Sequence, residues 1–254
     1  MRGLYIAEAA MLTQQARLNI ISNNLSNQGS PGFKRDGLAQ ASFGEQLLYC
    51  QEPVQPVKHS GIVARPVGSM AHSVAVGAIQ TEFTPGAIEE TGRDLDFALA
   101  EGYFTVQGEN GFLFTRNGRF FMDSGAYLVT AEGLPVLGEG GMIPLGGSEF
   151  TVDEEGQIYR QGHLQDRLRI TFFSPQAQLE KVGDNYFRLL NEQVLLENDV
   201  PRLYWRCLES SNVELTAEMV AMLQVRRAFE TSQKMLSSYD QLLSRAANEL
   251  GSLN

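Results

Sequence analysis

Apolar residues recur at helical spacing at both ends of the chain and at alternating spacing between them. From residue 1 to residue 26, Leu4, Ala7, Met11, Gln14, Leu18, Ile21 and Leu25 follow in steps of three and four, and Gln14 alone is polar. From about residue 211 to residue 250, Leu215, Met222, Phe229, Leu236, Leu243 and Leu250 repeat every seven residues. Glu218, Val225, Ser232, Tyr239 and Ala246 fill the intervening seam positions as a weaker line. A seven-residue repeat drifts slowly around a helix of 3.6 residues per turn, so such a stripe favours supercoiling against another helix. At roughly 35–40 residues the C-terminal helix would run on the order of 55 Å. That is more than a domain of this size needs to cover its own core. The expected fold class is α+β: a mostly antiparallel β domain flanked by long N- and C-terminal helices that form a coiled-coil-like pair.

Local signals place the boundaries. The first helix stops in a polar cluster, Ser22-Asn23-Asn24-Leu25-Ser26-Asn27-Gln28-Gly29-Ser30-Pro31-Gly32. Asn tolerates a left-handed backbone, Gly adopts it freely, and Pro31 biases Ser30 away from helix. Residues 36–75 contain Pro53, Pro56, Pro66, Gly61 and Gly68, and read as an extended connector; Phe43 to Tyr49 reads as a short helix or an apolar anchor. From residue 76 to 207 alternation dominates. Tyr103–Val106 and Phe112–Thr115 flank an Asn110-Gly111 turn, and Asn117-Gly118 marks the next one. Phe150–Val152 and Gln157–Tyr159 flank Glu154-Glu155-Gly156, and six to ten strands are expected in all. The last helix begins at Ser211, in a capping box with Glu214, or at Thr216 as a simple cap. Glu214 and Glu218 near its start and Arg245 near its end suit the helix dipole. The domains are then 1–35, 36–75, 76–207 and 208–254, the last packing with the first.

Composition narrows the function classes. Hydrophobic content of 43% with 20% charged residues describes a folded chain rather than a disordered one. A net charge of −10 argues against a phosphate-binding surface, so no nucleic-acid partner is expected. No stretch approaches the ~20 apolar residues of a membrane span. No secretory signal is visible, which points to a cytoplasmic protein or one exported with its N-terminus intact. Cys50 and Cys207 are expected as two buried free thiols. His59, His72 and His163 show no paired spacing, and Gly138-Glu139-Gly140-Gly141 lacks the Lys and helix of a phosphate loop. Asp94, Asp96 and Glu101 lack the spacing of a calcium loop. No cofactor, metal or catalytic residue is assigned.

Four blocks carry a family resemblance. Ser22-Asn23-Asn24-Leu25-Ser26-Asn27 with Ser30-Pro31-Gly32-Phe33-Lys34-Arg35 resembles the N-terminal signature of bacterial flagellar rod and hook proteins. Thr84-Pro85-Gly86 through Gly92 with Leu95-Asp96-Phe97-Ala98-Leu99 looks like the family's entry to its β domain. Gly102–Val106 with Phe114–Phe120 resembles its aromatic hairpin, and Leu208–Leu215 with Glu218-Met219-Val220 and Arg227-Ala228-Phe229-Glu230 its closing signature. Ser26, Ser30 and Arg226 depart from the usual Ala, Thr and Gln, and the connector follows the family poorly. Within the family the rod group is the nearest in length.

The resemblance implies a structural subunit of the flagellar basal-body rod. It implies head-to-tail polymerisation into a helical tube that transmits torque from motor to hook. It also implies export without a cleaved signal peptide through the flagellar export apparatus, and an extracytoplasmic place in the basal body. Its partners would be copies of itself and other rod and hook subunits. The residues assigned to assembly are Leu4, Met11, Leu18, Ile21 and Leu25 on the first helix and Leu215, Met222, Phe229, Leu236 and Leu243 on the last. Asn23, Asn24, Asn27, Gly32, Phe33 and Asn212 are assigned to the turns. The rival reading is a soluble β-domain binding module dimerised by its C-terminal helix, motivated by the aromatics around Tyr103, Phe112 and Phe120.

Overall fold

The computed structural model describes residues 2–52, 63–109, 111–147, 150–174, 178–183, 185–190, 195–196 and 201–251. Two compact units account for the chain. One is Met1–Leu25, Asp36–Thr81 and Leu215–Asn254; the other is Ser26–Arg35 with Glu82–Glu214. The α+β class with antiparallel strands and a helix at each end is as expected.

In the first unit, helix α1 spans Arg2–Ser26 and helix α2 spans Leu215–Gly251. Between them in sequence lie strands β1, Asp36–Glu52, and β2, Val63–Thr81, which form one antiparallel ribbon from Asp36↔Thr81 to Glu52↔Val63. This corrects the connector expectation for residues 36–75, and Phe43–Tyr49 belongs to β1. Pro66 pairs with Tyr49 beside a register shift between Leu48 and Tyr49. A proline lacks the N–H of the ladder, but in a two-stranded ribbon both strands are edges, and a bulge absorbs it. Pro53, Pro56 and Gly61 lie outside the described residues. The open end of the ribbon is pinned to α1. Asn24, 1% exposed, donates Nδ2 to the Asp36 carbonyl at 2.9 Å and accepts from the Asp36 N–H at 3.0 Å. Asp36 Oδ1 in turn accepts from Thr81 Oγ1 at 2.7 Å.

The second unit is built from short strands, seventeen among the described residues against the six to ten expected. The excess comes from two- and three-residue pairs separated by turns. The largest sheet has six antiparallel strands in the order Leu179–Val182, Tyr186–Leu189, Gly111–Thr115, Tyr103–Gly108, Ile170–Phe173, Leu195–Leu196. Phe104, Val106, Phe120, Leu128, Val136 and Ile143 are fully buried in its core, and the Phe104 and Phe120 rings meet edge to face at 5.1 Å. Asp153 makes the 154–156 turn as expected, accepting from the Glu155 and Gln157 N–H groups at 3.0 and 2.8 Å. Gly118 is not a hairpin-turn glycine. It is required by contact, since a Cβ there would lie 1.7 Å from the Phe97 carbonyl oxygen. Asn110 lies outside the described residues.

α2 begins at Leu215, so neither proposed cap serves. Ser211 Oγ accepts from the Val213 N–H at 3.3 Å, a local turn ahead of the helix, and Thr216 lies inside it. Glu218 does fall in the first turn, whereas Arg245 falls short of the last.

Candidate functional site

The polar cluster after α1 folds into a turn whose residues are selected by distant parts of the chain as much as by local geometry. Ser30 donates its N–H to the Asn27 carbonyl and its Oγ to Asn27 Oδ1, both at 3.1 Å. Gly32 has φ +67°, and a Cβ on it would lie 2.4 Å from the carbonyl carbon and oxygen of Arg116. Its N–H donates to the Glu209 carbonyl at 2.8 Å. Phe33 is fully buried, with Lys181 Nζ 4.1 Å from its ring centre, a cation–π contact. Lys181 Nζ also donates to the Lys34 carbonyl at 3.3 Å.

This turn delivers Lys34 to a buried cluster of three charges. Lys34 Nζ lies 2.5 Å from Glu209 Oε1, and both side chains are closed to solvent. Arg116 Nε lies 3.0 Å from Glu209 Oε2, in a geometry too poorly aligned for a hydrogen bond but close enough for a strong charge contact. Backbone carbonyls accept further bonds: Thr84 O from Lys34 Nζ at 2.9 Å, and Gly102 O and Ala100 O from Arg116 Nη1 and Nη2 at 2.6 and 3.4 Å. The Gly86 N–H donates to Glu209 Oε1 at 3.0 Å. Gly86 is there because a Cβ would lie 1.9 Å from the Ser210 carbonyl oxygen. Two cations thus share one carboxylate out of water. Burial lowers the Lys34 pKa below its ordinary value, opposed in part by its bond to Glu209. Burial also pushes the Tyr103 phenol, whose ring lies 5.5 Å from the Arg116 guanidinium, up to about 12.

The segment that leaves the β unit runs alongside the one that enters it. Leu203–Trp205 pairs with Phe97–Leu99, and Cys207–Glu209 with Ile88–Glu90. Asn212 then binds three backbone sites: it accepts from the Arg35 N–H at 2.8 Å and donates to the Glu82 and Thr84 carbonyls at 2.9 and 3.2 Å. Asn212 thus fastens the segment that leaves the β unit to the one that enters it. Asn24 binds the start of β1 rather than capping α1, and Asn23 is exposed. Cys207 is a free, half-buried thiol whose pKa burial raises; the Cys50 side chain lies outside the described residues.

The stripes on the helices differ from each other. On α1 the expected seam is the covered face: Ile21 is buried, and Leu4, Met11, Leu18 and Leu25 are half-buried. The exposed apolar residues of α1 lie elsewhere, at Tyr5, Ile6 and Leu12. On α2, Glu218 and Val225 are buried, Met222, Phe229 and Leu236 half-buried, and Leu215 is at the edge of exposure. Leu243 is 50% exposed, and Met235, Tyr239 and Leu242 beside it are open as well. Sequence reasoning found the stripe on α2 but assigned no role to Lys34, Arg116 or Glu209. The available signal was a charged residue set among apolar or turn residues in three separate blocks.

Comparison with known proteins finds three family models along the chain. A model described as "Flagella basal body rod protein" matches residues 4–34, one described as "Flagellar hook protein FlgE/F/G D1 domain" matches 100–160, and one described as "Flagellar basal body rod FlgEFG protein C-terminal" matches 207–250. The flagellar basal-body rod protein FlgG of Agrobacterium fabrum is 30% identical over 98% of this chain and 100% of its own length. FlgG of Bacillus subtilis is 29% identical over 98% of each chain, and the rod protein FlgF of Caulobacter vibrioides 29% over 99% of each. The matches to the first turn, the aromatic hairpin and the closing segment fall on the residues that converge on Glu209. The chain belongs to the family of flagellar basal-body rod and hook proteins.

Proposed function

We propose that this chain is a structural subunit of the bacterial flagellar basal-body rod, without catalytic activity. The observation that carries the reading is its similarity, over nearly its whole length, to relatives named basal-body rod proteins. In this reading copies associate head to tail into a helical tube that carries torque from motor to hook. A repeated contact that does not close into a ring produces such a helix of subunits. α1 and α2 act together as a terminal-helix domain, paired in coiled-coil fashion. The open apolar positions on the C-terminal half of α2 supply contacts with neighbouring copies and with other rod and hook subunits. Polypeptide crosses the envelope through the flagellar export apparatus with its N-terminus retained, and works outside the cytoplasm. No helix among the described residues is long and apolar enough to cross a membrane. Deletion of residues 1–26 or 211–254, followed by imaging of basal bodies and swimming assays, tests the proposal: rods and filaments are expected to be lost. Normal motility with either deletion overturns it.

A further inference from the structure

The charges around Glu209 come from three places far apart in sequence, and they arrive in a fixed order. In a chain made from its N-terminus, Lys34 and Arg116 exist before Glu209 does. In the folded protein the three side chains are 0%, 6% and 1% exposed. Among the described residues, Glu209 is the one anion paired with either cation. Closing the β unit over Lys34 and Arg116 without Glu209 would bury two cations with no counter-charge, which is far costlier than burying the pair. The same segment also brings the strands Leu203–Trp205 and Cys207–Glu209, and Asn212 fastens it to the backbone of Arg35, Glu82 and Thr84.

We propose that Glu209 is the closing piece of a completion clasp: the β unit stays open until residues 203–212 have arrived, and then closes around the Lys34–Glu209–Arg116 cluster in one step. The device holds an incomplete chain back from folding. It works through charge, because Lys34 and Arg116 oppose closure until the one carboxylate gives both of them a counter-charge to pair with. It also explains why the two positions where backbone crowds the cluster are glycines. Gly86 admits the Ser210 carbonyl and Gly32 the Arg116 carbonyl, so both partners reach their places only with no side chain in the way.

Pulse-labelling hydrogen exchange on the full chain during refolding tests the clasp. Amides of Tyr103–Gly108 and Gly111–Thr115 are expected to gain protection in the same phase as those of Cys207–Glu209. Protection of the 103–115 strands in an earlier phase overturns the proposal. The second arm is Glu209→Gln in the full chain, which leaves the shape and removes the charge. Protection of the 103–115 strands is expected to slow at least tenfold or not to develop, whereas a wild-type rate overturns the role given to charge.

Discussion

The open half of α2 allows assembly to be separated from folding. Met235, Leu242 and Leu243 are 52%, 61% and 50% exposed. Full burial of a Leu or Met side chain is worth about 1.5–3 kcal/mol, so the uncovered half of each represents about 1 kcal/mol still to be gained from a neighbour. Replacing all three with Ala therefore removes about 2–3 kcal/mol per contact between subunits. At 1.4 kcal/mol per tenfold, the association constant falls about 30- to 150-fold. Within the single chain the same substitutions remove little: exposed positions of this kind change stability by about 0.5 kcal/mol or less, and Ala is the best helix former. Val225→Ala is the contrast. Val225 is 8% exposed, and its truncation is expected to cost the isolated chain about 1–2 kcal/mol. Urea unfolding of purified protein reads the stability of the single chain, and swimming with electron microscopy of basal bodies reads assembly. The triple variant is expected to unfold like wild type and fail to build rods. Wild-type rods from the triple variant, or a loss of more than about 2 kcal/mol in its isolated chain, would refute the reasoning.

Four further outcomes follow from the structure. Gly86→Ala should cost about 2–3 kcal/mol by denaturant midpoint, because its Cβ would sit 1.9 Å from the Ser210 carbonyl oxygen. Gly29→Ala, with nothing within 4 Å, should be near neutral. Asn24→Ala removes both hydrogen bonds to Asp36 and should cost about 1–2 kcal/mol, read as faster amide exchange at the end of α1 and the start of β1. The Tyr103 phenol, raised from 10.0 to about 12, keeps its proton in the folded protein where the unfolded chain has lost it. Stability must therefore fall as pH rises through that interval, by about 2–3 kcal/mol at pH 12, and Tyr103→Phe should remove that part of the slope.

The elements that were legible in the sequence are those whose pattern is decided locally. A seven-residue stripe with no proline marks α2, and alternating aromatics flanking Gly111 mark the central hairpin, because helix and hairpin each impose their own period. The ribbon β1–β2 was not legible. Pro66 argues against strand when the strand is assumed to be central, and a two-stranded ribbon has no central strand. The start of α2 was misjudged for a related reason. Ser211 has the chemistry of a cap, yet its hydroxyl serves the Val213 N–H in a turn two residues ahead of the helix. The α1 stripe was legible as a buried face, but a stripe alone does not say what covers it. In this chain Ile21 is buried and Leu4, Met11, Leu18 and Leu25 are half-buried, and the open apolar positions Tyr5, Ile6 and Leu12 fall outside the counted pattern.

Pro31-Gly32-Phe33 and Thr84-Pro85-Gly86 invite a purely local explanation, since proline and glycine shape turns wherever they occur. Local chemistry accounts for only part of the selection here. Gly32 does carry a positive φ, but it is also excluded from growing a side chain by Arg116, and Gly86 by Ser210 alone. Lys34 has no local partner; its carboxylate is Glu209, at the far end of the β unit. Blocks that look like independent turn signatures are thus four edges of one buried site, and each is fixed by the others. In this chain all four meet at one carboxylate, between the same two cations and under the same crowded backbone.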